Sequence, residues 1–205
     1  MEVGSNEKAR ISFVLDAINE HKGSKAYRIA LDADAYWRGE NPTIMKYEKI
    51  IYDMQGKAHI DRWTANHKIA TNFFYFAVTQ ENQFLLSNGA NFGKEDTKEK
   101  LGKNFDTQLQ KLGIYALCGG VSFGFFNLDH IDAFSLLEFV PLYDEENGAL
   151  MAGIRFWQIA DDKPLRATLY ELDGYTDYIK DKTAKVLNPK RPYKIQIAHT
   201  EADGD

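Results

Sequence analysis

Asp129, His130 and Asp132 place two carboxylates and an imidazole within four residues, the raw material of a metal site or a small hydrolytic centre. A metal site also needs ligands brought in from elsewhere in the fold. On its own the stretch therefore reads first as a polar turn between strands. The glycine-rich run CGGVSFG (118–124) has the composition of a phosphate cradle. Phosphate loops, however, run strand, loop, helix, so that the amides of a helix N-terminus point at the anion. Here the order is helix, loop, strand, and no Gly-Lys-Ser/Thr follows, so helix termination is the expected role. Cys118 has no histidine partner that spacing nominates and reads as a small buried residue. His67 lies four residues from Thr71 on a polar arc and reads as solvated or capping. Lys190, Arg191 and Lys194, in NPKRPYK (188–194), form the best local candidate for touching a phosphate backbone, with a solvated surface loop as the competing account. The run KEDTKEK (94–100) pairs opposite charges as a solvated helix start would. No carboxylate pair, triad or nucleotide fingerprint is present. The expectation is no cofactor, no metal and no enzymatic activity.

Hydrophobic spacing sets the elements around these residues. SNEKARISFVLDAINEHKG reads as a helix with Phe13, Val14, Ala17 and Ile18 on its apolar face. SKAYRIALDADAYWRG reads as a second helix, N-capped by Ser24. ENPTI is expected to be extended because Pro42 takes Asn41 out of the α region. A β-hairpin turning at DMQG is expected next. The segment ATNFFYFAVTQENQFLLSNG (70–89) lacks the alternation of a strand, and its spacing predicts one long helix over Thr64–Ser87 stopped at Gly89. Ile69, Phe73, Phe76, Ala77 and Phe84 share one side of that helix, with Ala70, Phe74, Val78 and Leu85 beside them. This apolar arc, roughly 200°, exceeds the stripe of an ordinary surface helix. Such a helix should be gripped by two partners, its own core and a further body, with Phe74, Val78 and Leu85 as candidate subunit contacts. NFDTQLQKLGIYALC is a further helix.

From Val121 to about Ile179 the pattern changes to short strands broken by turns, with DEENG closing a hairpin. Helices first and a meander after define an α+β chain, helical over about 5–119 and β over about 120–181. Residues 1–185 would form the body, and 186–205 a proline-containing tail.

Composition narrows the function classes. The chain has 205 residues, 44% of them hydrophobic, with one cysteine and a net charge of −5. That balance opposes a broad basic face for nucleic acid. A lone cysteine excludes an internal disulfide and suits a reducing compartment. The first ten residues have no apolar signal core, and no apolar run approaches the roughly 20 residues of a membrane span. A soluble protein made inside the cell is expected, with no membrane association.

Taken in order, the segments resemble the amino-terminal part of portal proteins of long-tailed bacteriophages. The likeness lies in YWRGENPTI (36–44), the hairpin, and then IDRWTANHKIATNFFYFAVTQENQFLLSNGANF (60–92). Asp61 and Asn66 match the family's Asp and Asn ahead of a long helix, and Phe84-Leu85 the start of its closing motif. LEFVPLYDEENGALMAGIRFWQI (137–159) and LYELDGYTDYIKD (169–181) resemble later strand pairs. The proline of the family's Gly-x-Pro exit is missing: SNGAN has Gly89 alone. Family chains are about twice as long, so the resemblance covers only the wing-like portion and implies a missing stem. It implies a structural subunit of a homo-oligomeric, usually dodecameric ring at the capsid vertex of the virion, made in the host bacterial cytoplasm. Double-stranded DNA would pass through without sequence-specific binding, and terminase, scaffolding and head-completion proteins would be partners. The rivals are an enzyme built on Asp129, His130 and Asp132 or the glycine-rich turn, and a nucleic-acid-binding module using Lys190, Arg191 and Lys194.

Overall fold

The computed structural model describes residues 2–93, 98, 100–102, 104–128 and 130–193. The chain is α+β, with its helices in the first part and a five-stranded antiparallel meander in the second. Helix α1 (Glu2–Gly23) is followed at once by α2 (Lys25–Trp37), and the Ser24 hydroxyl accepts from the Tyr27 amide at 3.1 Å as an N-cap should. Pro42 does not extend the chain. It opens a short helix α3 (Pro42–Lys46), because proline's missing N–H and fixed φ suit the first helical position. Asn41 leaves the right-handed α region for the left-handed one, with φ 46°.

Strands β1 (Ile50–Tyr52) and β2 (Ala58–Ile60) form the expected hairpin. The long helix is shorter than its periodicity suggested: α4 spans Phe73–Leu86, and residues 64–72 are not helical. They form a strap tied to residues 41–49. Asn66 Nδ2 donates to the Tyr47 carbonyl at 3.3 Å, Lys68 Nζ to that of Met45 at 2.5 Å, and Asn41 Nδ2 to that of Thr71 at 3.0 Å. Asn and Thr compete poorly for helix, and these ties reward the extended alternative. Helix α5 (Phe105–Gly119) ends at Gly120, whose φ of 81° and N–H to the Ala116 carbonyl, 2.8 Å, make the glycine-rich run a helix C-cap.

One expected strand is two. AFSLLEFVPLYD breaks at Leu136–Glu138, so that β4 (Ile131–Ser135) pairs with β3 (Ser122–Phe126) in a separate hairpin. β5 (Phe139–Tyr143) starts the meander β5-β6-β7-β8-β9, with β6 Leu150–Trp157, β7 Leu165–Glu171, β8 Gly174–Lys180 and β9 Ala184–Arg191. Residues 186–191, expected as tail, are therefore the outer strand. The edge strands β5 and β9 carry Pro141 and Pro189, and an edge tolerates proline because one side of it needs no ladder donor. Proline made β9 look like tail in the sequence.

Alternation along the strands splits the meander into two faces. Val140, Ile154, Phe156, Ala167, Leu169 and Tyr178 pack on Val14 and Ile18 of α1, both 1% exposed. Phe13, expected on that apolar face, is 52% exposed. The opposite face is covered in part by the β3–β4 hairpin, with Phe123 and Phe134 stacked on Phe139 at 4.5 and 5.7 Å between centroids. That hairpin packs on α5, which in turn carries α4 and α2. The helices thus join the sheet in one body.

Candidate functional site

Two surfaces stand out, an apolar arm and an aromatic cleft. The arm comprises the β1–β2 hairpin, the strap and the outer side of α4. Asp61 fixes its base. Asp61 Oδ1 accepts from the amides of Trp63 and Thr64 at 2.9 and 3.1 Å, and Oδ2 from the Thr64 hydroxyl, with Lys49 Nζ 3.4 Å away. The Thr64 hydroxyl, then the two amides and Lys49, hold its carboxyl well below the usual carboxylate range. Asp61 and Asn66, the two residues of the resemblance ahead of the helix, therefore position the arm.

Within α4 the inward stripe is Phe74, Val78, Asn82 and Leu86, at a spacing of four. Val78 is 5% and Asn82 4% exposed, and Phe74 and Leu86 are half-buried. Two of the three candidate subunit contacts, Phe74 and Val78, thus face their own chain; Leu85 is exposed. The neighbouring apolar side is left open: Ile69, Phe73, Phe76 and Phe84 are exposed, Phe84 at 88%. Periodicity gives the phase of a helix but not which apolar side is claimed by its own domain. α4 rests on α5 and touches α2, where the Trp37 and Tyr75 rings lie 4.5 Å apart. Among the described residues, its main packing partner is α5. Trp63 at 93% and Met54, fully exposed, extend the apolar surface to the hairpin.

The cleft opens where the β3–β4 hairpin stops covering the sheet. Its floor is a polar row running across the strands by register, Arg155 to Thr168 to Asp177 to Asn188. The Thr168 hydroxyl donates to Asp177 Oδ1 at 2.7 Å, Asn188 Nδ2 to Asp177 Oδ2 at 2.9 Å, and Arg191 Nη2 to Asn188 Oδ1 at 2.8 Å. The Arg155 guanidinium lies 4.6 Å from the Phe134 ring and 4.9 Å from that of Trp157, and forms no ion pair with a described carboxylate. Phe125, Tyr170, Tyr175 and Tyr193 form a wall of rings, neighbours 4.7 to 6.4 Å apart. Burial pushes the Tyr170 hydroxyl up to about 12, against the opposing pull of Arg155. One side of the Phe125–Tyr170 pair is an apolar groove of about 370 Å³ bordered by Phe123, Met151 and Leu172; the other is a wider polar recess of about 670 Å³.

The residues singled out by type fall at several places. Asp132 borders the polar recess, with His130 Nε2 3.6 Å from its carboxylate, whereas Asp129 lies outside the described residues. Among the described residues, no group of three His, Cys, Asp or Glu could hold a metal ion. Lys190 is spent on acids, 2.5 Å from Asp173 and 3.2 Å from Glu171, and Arg191 is tied to Asn188. They do not form a basic patch, and Lys194 lies outside the described residues, as does most of the 94–100 run. His67 is exposed on the strap. Cys118 is half-buried, and burial, with the Asp34 charge, pushes its thiol up to about 11. Arg155, Tyr170 and Asp177 were not foreseen. Period-two alternation in β6, β7 and β8 was the available signal, since it places them on one face. Among the described residues no helix is long and apolar enough to cross a membrane. No protein-family model matches the chain, and no curated protein matches it.

Proposed function

We propose that the chain is a structural subunit, the wing portion of a tailed-phage portal ring, and that its arm is covered by other copies in the assembly. The observation that carries the reading is the arm itself: Trp63, Ile69, Phe73, Phe76 and Phe84 share one exposed stretch of chain. Soluble monomers seldom expose contiguous apolar patches beyond a few hundred Å² unless something docks there. The order of the segments resembling portal proteins supports the same reading. So does the disposition of charge, since a conduit for DNA gains nothing from a basic grip. Lys190, the centre of the one basic run, is neutralised by Asp173 and Glu171. On this reading the ring sits at the capsid vertex and meets terminase, scaffolding and head-completion proteins, and the subunit catalyses nothing. Negative-stain electron microscopy of the full gene product tests it. Closed rings are expected; monomers under every condition of salt and concentration would overturn it.

A further inference from the structure

The arm and the cleft are complementary, and one chain cannot join them. α4 and the β3–β4 hairpin each pack on α5, and the arm is anchored at both ends, by Asn41 to the strap and by Asp61 to Lys49 and Thr64. The arm is an apolar projection: Met54 at its tip and Trp63 at its base are almost wholly exposed. Across residues 45–69, Lys46, Lys49, Lys57, Arg62 and Lys68 outnumber Glu48, Asp53 and Asp61, in a chain whose net charge is −5. The cleft is the converse. Its groove is lined mainly by aromatic and aliphatic side chains, with Glu171 already paired to Arg10 and Lys190, and Asp132 and Asp177 border the adjoining recess against Arg155 as the one cation among the described lining residues. A groove of about 370 Å³ falls within the range that takes a ring-sized apolar group.

We propose that the hairpin arm of one copy seats in the aromatic cleft of the next, its apolar tip in the groove bordered by Met151 and Leu172 and its lysines toward Asp132 and Asp177. The occupant is a second copy of this chain, and the inference rests on the ring reading above. Because the arm and the cleft are different surfaces, the contact is head-to-tail, the kind that closes rings when the rotation permits. It leaves each copy with one arm to give and one cleft to fill. Opposite charges at the rim fix register and speed encounter more than they add affinity.

Cysteine pairing tests it in a Cys118→Ser background. Met54→Cys and Leu172→Cys sit at exposed positions where folding is insensitive to substitution. With a short bis-maleimide, the double variant should give a ladder of covalent oligomers, and each single variant none. A dimer from Met54→Cys alone would mean that arms meet arms, and would overturn the proposal. As a second measurement, Met151→Arg should weaken assembly at least tenfold without moving the melting temperature of the monomer. Rings that form normally with no ladder and no effect of Met151→Arg would overturn the arm-in-cleft contact while leaving the ring reading intact. A failure of the parent to assemble at all would overturn both.

Discussion

Phe84→Ala and Val78→Ala, two substitutions six residues apart on one helix, should have opposite consequences. Val78 is 5% exposed and faces α5. Removing two buried methyl groups at roughly 0.8 kcal/mol each, with a small cavity left behind, should cost the monomer about 2 kcal/mol. Phe84 is 88% exposed, so its removal takes almost nothing out of the monomer core. Alanine is also the better helix former, and the net change should stay within about 0.5 kcal/mol. Assembly reverses the order. If Phe84 is buried against another copy, its loss forfeits about 2 to 3 kcal/mol per contact, roughly a 30-fold to 140-fold weakening. Urea denaturation at low concentration gives the first pair of values, and sedimentation velocity across a concentration series the second. The reasoning fails if Phe84→Ala lowers the urea midpoint as far as Val78→Ala does. It fails equally if Phe84→Ala leaves association untouched while Val78→Ala abolishes it.

Other expectations come from single contacts. Gly113 faces Asn82 and Leu86 so closely that an added Cβ would overlap both side chains. Gly113→Ala should therefore destabilise by about 1 to 3 kcal/mol in a thermal melt, although helix propensity alone predicts a gain near 1 kcal/mol. Asn41→Ala gives up hydrogen bonds to the Gly39 and Thr71 carbonyls at 3.0 Å each and strains a left-handed position. Its cost should be about 2 kcal/mol by urea titration, and Asn41→Gly should recover only the backbone part. Asp61 has a depressed folded-state pKa, so its contribution is present above the ordinary carboxylate range and is lost as pH falls through its lowered value. Protection of the Trp63 and Thr64 amides, taken as exchange relative to the intrinsic rate at each pH, should fall on acidification in the parent, and be low and pH-insensitive in Asp61→Ala. Cys118, raised to about 11, should react with a disulfide reagent at pH 8 at least tenfold more slowly than free cysteine.

The sequence carried the strand pattern and the helix phases well, because both are written as periods. α1, α2, α5, the arm hairpin and the Ser24 cap stand where spacing placed them. What it carried poorly depended on partners far along the chain. Residues 64–72 look helical until Tyr47, Met45 and Asn41 supply competing bonds. Pro189 suggests tail until β8 offers one side of a ladder for which proline needs no second donor. Which face of α4 meets its own chain was illegible for a similar reason: nothing local says whether α5 will meet Val78 or Phe76. The cleft was illegible as a unit because Asp132, Arg155, Tyr170 and Asp177 come from four strands of two sheets. Each alone looks like an ordinary alternating position.

Oxidative footprinting of the full-length product, followed at Trp63, Met54 and Phe84 through the change from free subunit to assembly, is the most direct measurement of whether the arm exists to be covered. All three should be oxidised rapidly in the free subunit and protected together in the assembled fraction, while Ile159, exposed at 79% and lining neither recess, keeps its rate. Assemblies in which the three arm residues remain as reactive as in the monomer would contradict the account.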